Sequence, residues 1–386
     1  MTGTSSPFPP SPFPPSPAAG AAAPGLAGPV PAGCPTTLEA IVRIAHERNH
    51  SDVHIGVGEA PRFRSCGDIL ATGWPVTDRD TFNRYLREML SPGELDAFLR
   101  EKDYDGAHAF PFVRVRINLL EALHGPAMVL RLIPHQVAGL DELNLPAVLR
   151  DLCTRPKGLV LVTGPTGSGK STTLAAMIDW INHSMARHIL TIEDPVEFVH
   201  RSDQSLIRQR EVGRHTRLFA RALRAALRED PDVILIGEIR DLETLSIALE
   251  ASQTGHLVLG TLHTNSAVQT VERVMGMGPA HQQDSLRRSI AESLLAVISQ
   301  GLIRNGNGSR AAFHDILINT EACKDYILQG DLDAVELIMT RSGFDGMQTM
   351  NQALQQLVEQ GEARAEEAIA LSPKPNELAM ALRSNS

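Results

Sequence analysis

Apolar and polar positions change their period several times along this chain, and each change predicts a different kind of element. From Thr36, "TLEAIVRIAHERN" spaces its apolar residues as a helix with one buried face does. "SDVHIGVG" and "RFRSCGDIL" follow as short strands separated by Gly and Pro. A helix in "TFNRYLREML" and a strand pair around "FPFVRVRINLL" and "PAMVLRLIP" complete an α+β unit over 36–134. His135 to Pro146, "HQVAGLDELNLP", has turn residues and little periodicity, as an interdomain linker should. A helix around Ala147–Cys153 opens a second unit, 147–386, in which continuous apolar runs alternate with helical patterns. Those runs are "GLVLVT", "HILTIE", "DVILIGE" and "HLVLGTLHT", and the alternation predicts an α/β fold: a mostly parallel sheet with helices on its faces. After Gln282 the pattern predicts helix through "LRRSIAESLLAVISQGLI" and "MNQALQQLVEQG", and so a helical C-terminal subregion.

Composition refines this picture. The 386 residues are 42% hydrophobic, enough for two ordinary domains with separate cores. Residues 1–35 are instead dominated by Pro, Ala, Ser and Gly, as in "SPFPPSPFPPSPAAGAAAPG", which predicts a disordered Pro-rich tail with PxxP-like spacing. A net charge of −9 lacks the footprint of a general nucleic-acid binder, so no direct nucleic-acid partner is expected. The four cysteines, Cys34, Cys66, Cys153 and Cys323, form no CxxC pair; neither a zinc site nor a disulfide framework is expected, and a reducing cytoplasm fits. Aliphatic runs such as Val233–Ile236 are far shorter than the roughly 20 residues of a membrane-spanning helix, leaving at most peripheral membrane association.

The sharpest chemical signal is Gly164-Pro165-Thr166-Gly167-Ser168-Gly169-Lys170-Ser171, which fits GxxxxGK[ST] between a predicted strand and a predicted helix. Glycines let backbone N–H groups turn inward around a β-phosphate at the positive end of the helix. Lys170 would reach the β- and γ-oxygens, Ser171 would offer its hydroxyl to Mg²⁺, and Thr172 would face the α-phosphate. A nucleoside triphosphate and Mg²⁺ are therefore the expected substrate and cofactor.

Turnover needs further groups at neighbouring strand ends. "HILTIEDPVEF" ends in Glu193, Asp194 and Glu197, candidates for a general base or a water-mediated metal contact. "DVILIGEIRD" delivers Glu238, the first choice for the catalytic carboxylate and a candidate for the Mg²⁺ shell. "GHLVLGTLHTNSA" brings His256 before its strand and His263 near its end, where His263 could sense the γ-phosphate. Arg221, Arg224 and Arg228 share roughly one helical face, suited to phosphate, a neighbouring subunit or surface ion pairs.

Taken together, the phosphate loop, "TIEDPVEF", "DVILIGEIRD" and "GHLVLGTLHTNSA" stand in the order of the boxes of secretion-superfamily ATPases, and the chain resembles the pilus-retraction type of that family over about Thr36 to Asn376. "REVGRHTRLFARALRAALREDPD", "AVISQGLI" and "GFDGMQTMNQAL" support that subfamily. The resemblance implies an N-terminal PAS-like domain, carried by "SDVHIGVGEAPRFRSCGDI", followed by a RecA-like ATPase domain. It also implies a homo-hexameric ring that hydrolyses ATP between subunits and works on an inner-membrane pilus platform protein, at the cytoplasmic face of the inner membrane at the pilus base. By the same resemblance, Arg116 in "VRIN" and Arg131 in "VLRLIP" match arginines that complete the nucleotide site, while His124-Gly125 stands where the family often has Arg-Gly. The segment tied to retraction in the family reads "EACKDYILQGD" here, keeping Ala322 and Ile327. The chain carries neither the extra N-terminal domain nor the four-cysteine zinc motif of extension ATPases, which points toward retraction. A related secretion or pilus-assembly ATPase, or a nucleotide-gated regulator at the platform, are the alternative readings.

Overall fold

The computed structural model describes residues 35–65, 67–133, 137–305 and 310–384. The predicted tail over 1–35 lies almost wholly outside the described residues, as do Cys34 and Cys66. The chain divides into two compact units, one ending at Gln136 and one beginning at Val137.

The first unit runs α1 (Leu38–Glu47), β1 (Asp52–Gly56), β2 (Arg62–Ser65), β3 (Asp68–Ala71), α2 (Arg79–Met89), α3 (Pro92–Glu101), β4 (Asp103–Ala109), β5 (Arg114–Ala122) and β6 (Gly125–Ile133). Its strands form one antiparallel sheet in the order β3-β2-β1-β6-β5-β4. Thr37 caps α1 by accepting the Ala40 amide, and the helix buries Leu38, Ile41, Val42 and Ala45 at the spacing of one face. Helix α3, which the apolar pattern does not predict, begins with a reciprocal cap between Ser91 and Glu94 and has Pro92 in its first turn.

The second unit runs α4 (Val148–Cys153), β7 (Gly158–Thr163), α5 (Lys170–Ser184), β8 (His188–Glu193), β9 (Leu206–Glu211), α6 (Phe219–Ala226), β10 (Val233–Ile236), α7 (Leu242–Gln253), β11 (Leu257–Leu262), α8 (Ala267–Met275) and α9 (Gln283–Ser293). It continues through β12 (Leu294–Arg304), β13 (Arg310–Ile318), α10 (Glu321–Gln329), α11 (Leu332–Arg341), α12 (Met350–Glu359), α13 (Ala365–Leu371) and α14 (Pro375–Ser384). The sheet order is β13-β12-β7-β11-β10-β8-β9, parallel throughout except for β13 against β12. Alternate residues of β7 enter opposite cores: Leu159 and Leu161 pack with α7 and α8, and Val160 and Val162 pack with α4 and α5. Both faces are therefore dry, which is why these strands read as unbroken apolar runs.

One expectation is corrected. "LRRSIAESLLAVISQGLI" is not helical throughout: helix α9 stops at Ser293 and "LLAVISQGLIR" is the strand β12, paired with β7 on one side and β13 on the other. An apolar run buried on both faces has no period to separate strand from helix, and here the pairing partners decide. The C-terminal subregion is helical only from α10 onward, and α12 and α14 pack with Ile303 and Phe313 at the end of the β12–β13 hairpin.

His314 on β13 is 4% exposed, and burial pushes its imidazole down to about 4 from 6.5. The unfolded chain gains its proton at higher pH than the folded one, so this group's contribution is fully present above pH 6.5 and is lost as pH falls toward 4. Replacing His314 with Leu should flatten the acid-side loss of stability over that window by up to about 1.4 kcal/mol per pH unit. Urea unfolding at a series of pH values checks this; an unchanged slope would show that His314 does not titrate between the two states.

Candidate active site

The phosphate loop occupies the turn from Thr163, the last residue of β7, to Lys170, the first of α5. Gly164, Gly167 and Gly169 all take positive φ. At Gly164 the requirement is double, because a Cβ there would also overlap the Gln300 carbonyl oxygen and approach Ser168 Oγ to 2.7 Å. Gln300, on β12, braces the loop from behind. Its Nε2 donates to the Ser168 carbonyl at 2.8 Å and its Oε1 accepts from Thr173 Oγ1 at 2.7 Å. The Lys170 ammonium folds onto the loop, donating to the carbonyls of Gly164 at 2.8 Å and Pro165 at 3.0 Å. Burial lowers its pKa, and the charges of Glu197 and Glu238 oppose part of that shift. The outer side of the loop, Pro165, Thr166, Gly167 and Ser168, lines a cleft with Leu302, Arg304 and Arg310.

Ser168 Oγ is buried and has no hydrogen-bond partner among the described residues. That hydroxyl, the inward-turning glycines and a partly desolvated ammonium held by carbonyls together make a donor set that fits an anion. Ser171 and Thr172 follow in the first turn of α5, and Ser171 lines a second pocket with Glu193, His200, Gly237 and Thr261. Among the described residues no group of three or more His, Cys, Asp or Glu side chains is gathered as a metal site. The donor set suits a cation held largely by phosphate oxygens and water, as Mg²⁺ usually is.

The acids at the strand ends differ sharply in their surroundings. Glu193 closes β8, where burial pushes its carboxyl up to about 7. It accepts from Thr191 Oγ1 at 2.5 Å, Gln209 Nε2 at 3.2 Å and the Glu197 amide at 3.4 Å. Glu238 follows β10, and burial would raise it too. The Arg240 guanidinium, His263 and Lys170 together outweigh burial and hold it below the usual carboxylate range. Arg240 Nη2 donates to Glu238 Oε2 at 2.6 Å, and His263 Nε2 lies 3.3 Å from Glu238 Oε1. Glu238 and His263 are brought together because the Ile239 amide donates to the Thr261 carbonyl at 2.9 Å and Thr261 Oγ1 donates to the Gly237 carbonyl. Two carboxyls at the ends of adjacent strands thus shift in opposite directions, Glu193 raised by burial and Glu238 held down by cations.

Other candidates have partners of their own. His256 Nδ1 lies 2.9 Å from the Ala251 carbonyl at the end of α7, a structural anchor. Arg224 pairs with Glu243 of α7 at 2.7 Å. In the first unit Arg116 and Arg131 are cross-strand partners on β5 and β6. Arg116 is bound by Asp105 at 2.7 Å, and Arg131 Nε donates to Asp52 at 2.9 Å. His124 stands in the exposed turn between those two strands. The sequence does not single out Gln300 or Arg240. Arg240 stands two residues beyond the candidate catalytic acid, which is its signal; Gln300 has none, because the apolar run around it predicts helix.

Comparison with known proteins gives one consistent result. The profile of the family described as type II/IV secretion system protein matches residues 107–373. A "Twitching motility protein" of Neisseria gonorrhoeae is 46% identical over 304 residues, covering 78% of this chain and 81% of that protein. The "Type IV pilus retractation ATPase PilT" of Pseudomonas aeruginosa is 42% identical over 322 residues, covering 83% and 94%. Among solved structures, one described as the pilus retraction motor PilT with bound ADP superposes with a TM-score of 0.83 at 41% identity, covering 89% of this chain and 99% of that one.

Proposed function

The chain belongs to the type II/IV secretion system protein family, and on that premise we propose that it is an ATPase motor that spends ATP on retracting a type IV pilus. The observation that carries this reading is the meeting of Lys170, Glu238 and His263 at the C-terminal ends of three adjacent parallel strands, β7, β10 and β11. The relatives named for twitching motility and pilus retraction give the work its direction.

The chemistry follows from the side chains. Lys170 exchanges its two loop carbonyls for the terminal phosphate oxygens, and the loop amides take the rest of the anion's charge. Glu238, kept ionised, orients the attacking water and accepts its proton. His263, on the same carboxylate, stands where departure of the γ-phosphate changes its partner. Ser171, and Glu238 through water, would hold Mg²⁺, which supplies neutralisation of charge on the transferring phosphoryl group.

The wider assembly is part of the same reading. The antiparallel sheet and helices of the first unit support a PAS-like domain, and the second unit's sheet supports a RecA-like one. Arg116 and Arg131 complete the site of a neighbouring copy in a homo-hexamer, exchanging Asp105 and Asp52 for phosphate. The ring acts from the cytoplasmic face of the inner membrane on a platform protein. Among the described residues no helix is long and apolar enough to cross a membrane. Pilus imaging in a strain lacking the gene tests the direction of the work. Hyperpiliated cells are expected; bald cells would mean a role in extension.

A further inference from the structure

The loop that carries His263 is tied at both ends to groups that take no part in binding phosphate or activating water. At its start, Thr264 Oγ1 lies 2.7 Å from Thr270 Oγ1, which lies 3.2 Å from Thr163 Oγ1, itself 2.6 Å from Ser299 Oγ. Thr163, Thr270 and Ser299 are fully buried, and Thr163 is the residue before Gly164. This hydroxyl chain fastens the histidine loop to the root of the phosphate loop.

At the other end of the loop, the first amide of α8, Ala267 N, donates to Asp315 Oδ2 at 2.7 Å. The second oxygen of the same carboxylate accepts the first amide of α12, Met350 N, at 3.2 Å. Asp315 is 6% exposed and sits on β13, whose next residue, Ile316, exchanges two backbone hydrogen bonds with Gln348, just before α12. One buried carboxylate thus joins the first turns of two helices far apart in sequence, beside their own N-caps Ser266 and Thr349: one helix continues the histidine loop and the other opens the helical packing on the β12–β13 hairpin.

We propose that Asp315 is a positioning residue of the ATPase: by holding the first amides of α8 and α12 on one carboxylate it sets the place of His263 and passes movement of the histidine loop to the C-terminal helices α12–α14. This rests on the proposed ATPase function and adds to it the route by which the phosphate's presence leaves the site. A shift of the histidine loop moves Ala267, and the carboxylate cannot follow it without moving relative to the Met350 amide.

The test separates turnover from affinity in the purified full-length protein. Asp315→Asn keeps the side chain's size but leaves one acceptor oxygen for two amides. Phosphate release is expected to fall about tenfold to a hundredfold, since His263 is misplaced. The Kd for ADP is expected to stay within about twofold, since the phosphate loop is untouched. Unchanged turnover would overturn the proposal, and so would an equal loss of ADP affinity, which signals general damage to the domain. Amide exchange in the unmodified protein decides the matter even where the variant does not fold. Protection at 267–269 and 350–352 should change together when a non-hydrolysable ATP analogue replaces ADP, and a change confined to 267–269 would overturn the link. Wild-type protein that releases no phosphate would sink the ATPase reading itself, and the exchange comparison would still judge the coupling of the two helices.

Discussion

Glu238→Gln is expected to lower steady-state ATP turnover by roughly 10²–10⁴-fold, the range for removing a positioned general base. The glutamine is nearly isosteric, so its amide oxygen can still accept from Arg240 while its amide nitrogen takes the place of the oxygen beside His263, and the turn between β10 and α7 keeps its backbone bond to Thr261. What disappears is the negative charge that Arg240, His263 and Lys170 stabilise against burial. On the proposed role of Glu238, the attacking water is then expected to be neither oriented nor relieved of its proton. Nucleotide affinity should survive, because the phosphate loop is intact, and the variant should accumulate bound ATP. Phosphate release and nucleotide binding measured on one preparation check both halves. Loss of binding along with turnover would mean that Glu238 holds the nucleotide instead of activating water.

Lys170→Ala should fail one step earlier. The ammonium is the charged side chain folded over the loop, and its two acceptors, the carbonyls of Gly164 and Pro165, are groups it must leave to meet phosphate. Removing one preorganised cation facing developing charge costs about 10²–10³ in rate. Here ground-state binding is lost as well, since charge-assisted hydrogen bonds contribute roughly 1.5–3 kcal/mol each. Both a weaker Kd for ATP and turnover at background are expected, by titration and by phosphate release. Normal affinity with lost turnover would confine Lys170 to the transition state. The pair of variants therefore divides the site into a part that binds and a part that reacts.

Much of this is legible in the amino-acid sequence alone. The four central strands of the second unit are visible as unbroken apolar runs because both faces of the sheet are covered, and the phosphate loop because only glycine tolerates its backbone. What stays hidden depends on pairing across the sheet. Strand β12 looks helical until β7 and β13 claim its two edges, and with it goes Gln300, whose task is to fill the space behind the loop. Asp315 stands in "FHDILI", where nothing local reveals that its two oxygens serve amides 48 and 35 residues away. The split between Glu193 and Glu238 is hidden for the same reason: both end a strand, and only the neighbours show that one is buried among neutral donors and the other faces cations.

The most direct measurement of the central claim is fluorescence imaging of individual pili in a gene-deleted strain complemented with either wild-type protein or Glu238→Gln. The account predicts that wild type restores shortening of extended pili, while the variant, made at equal level, leaves pili that extend and never shorten. Pili that shorten with the variant as often as with wild type would contradict it.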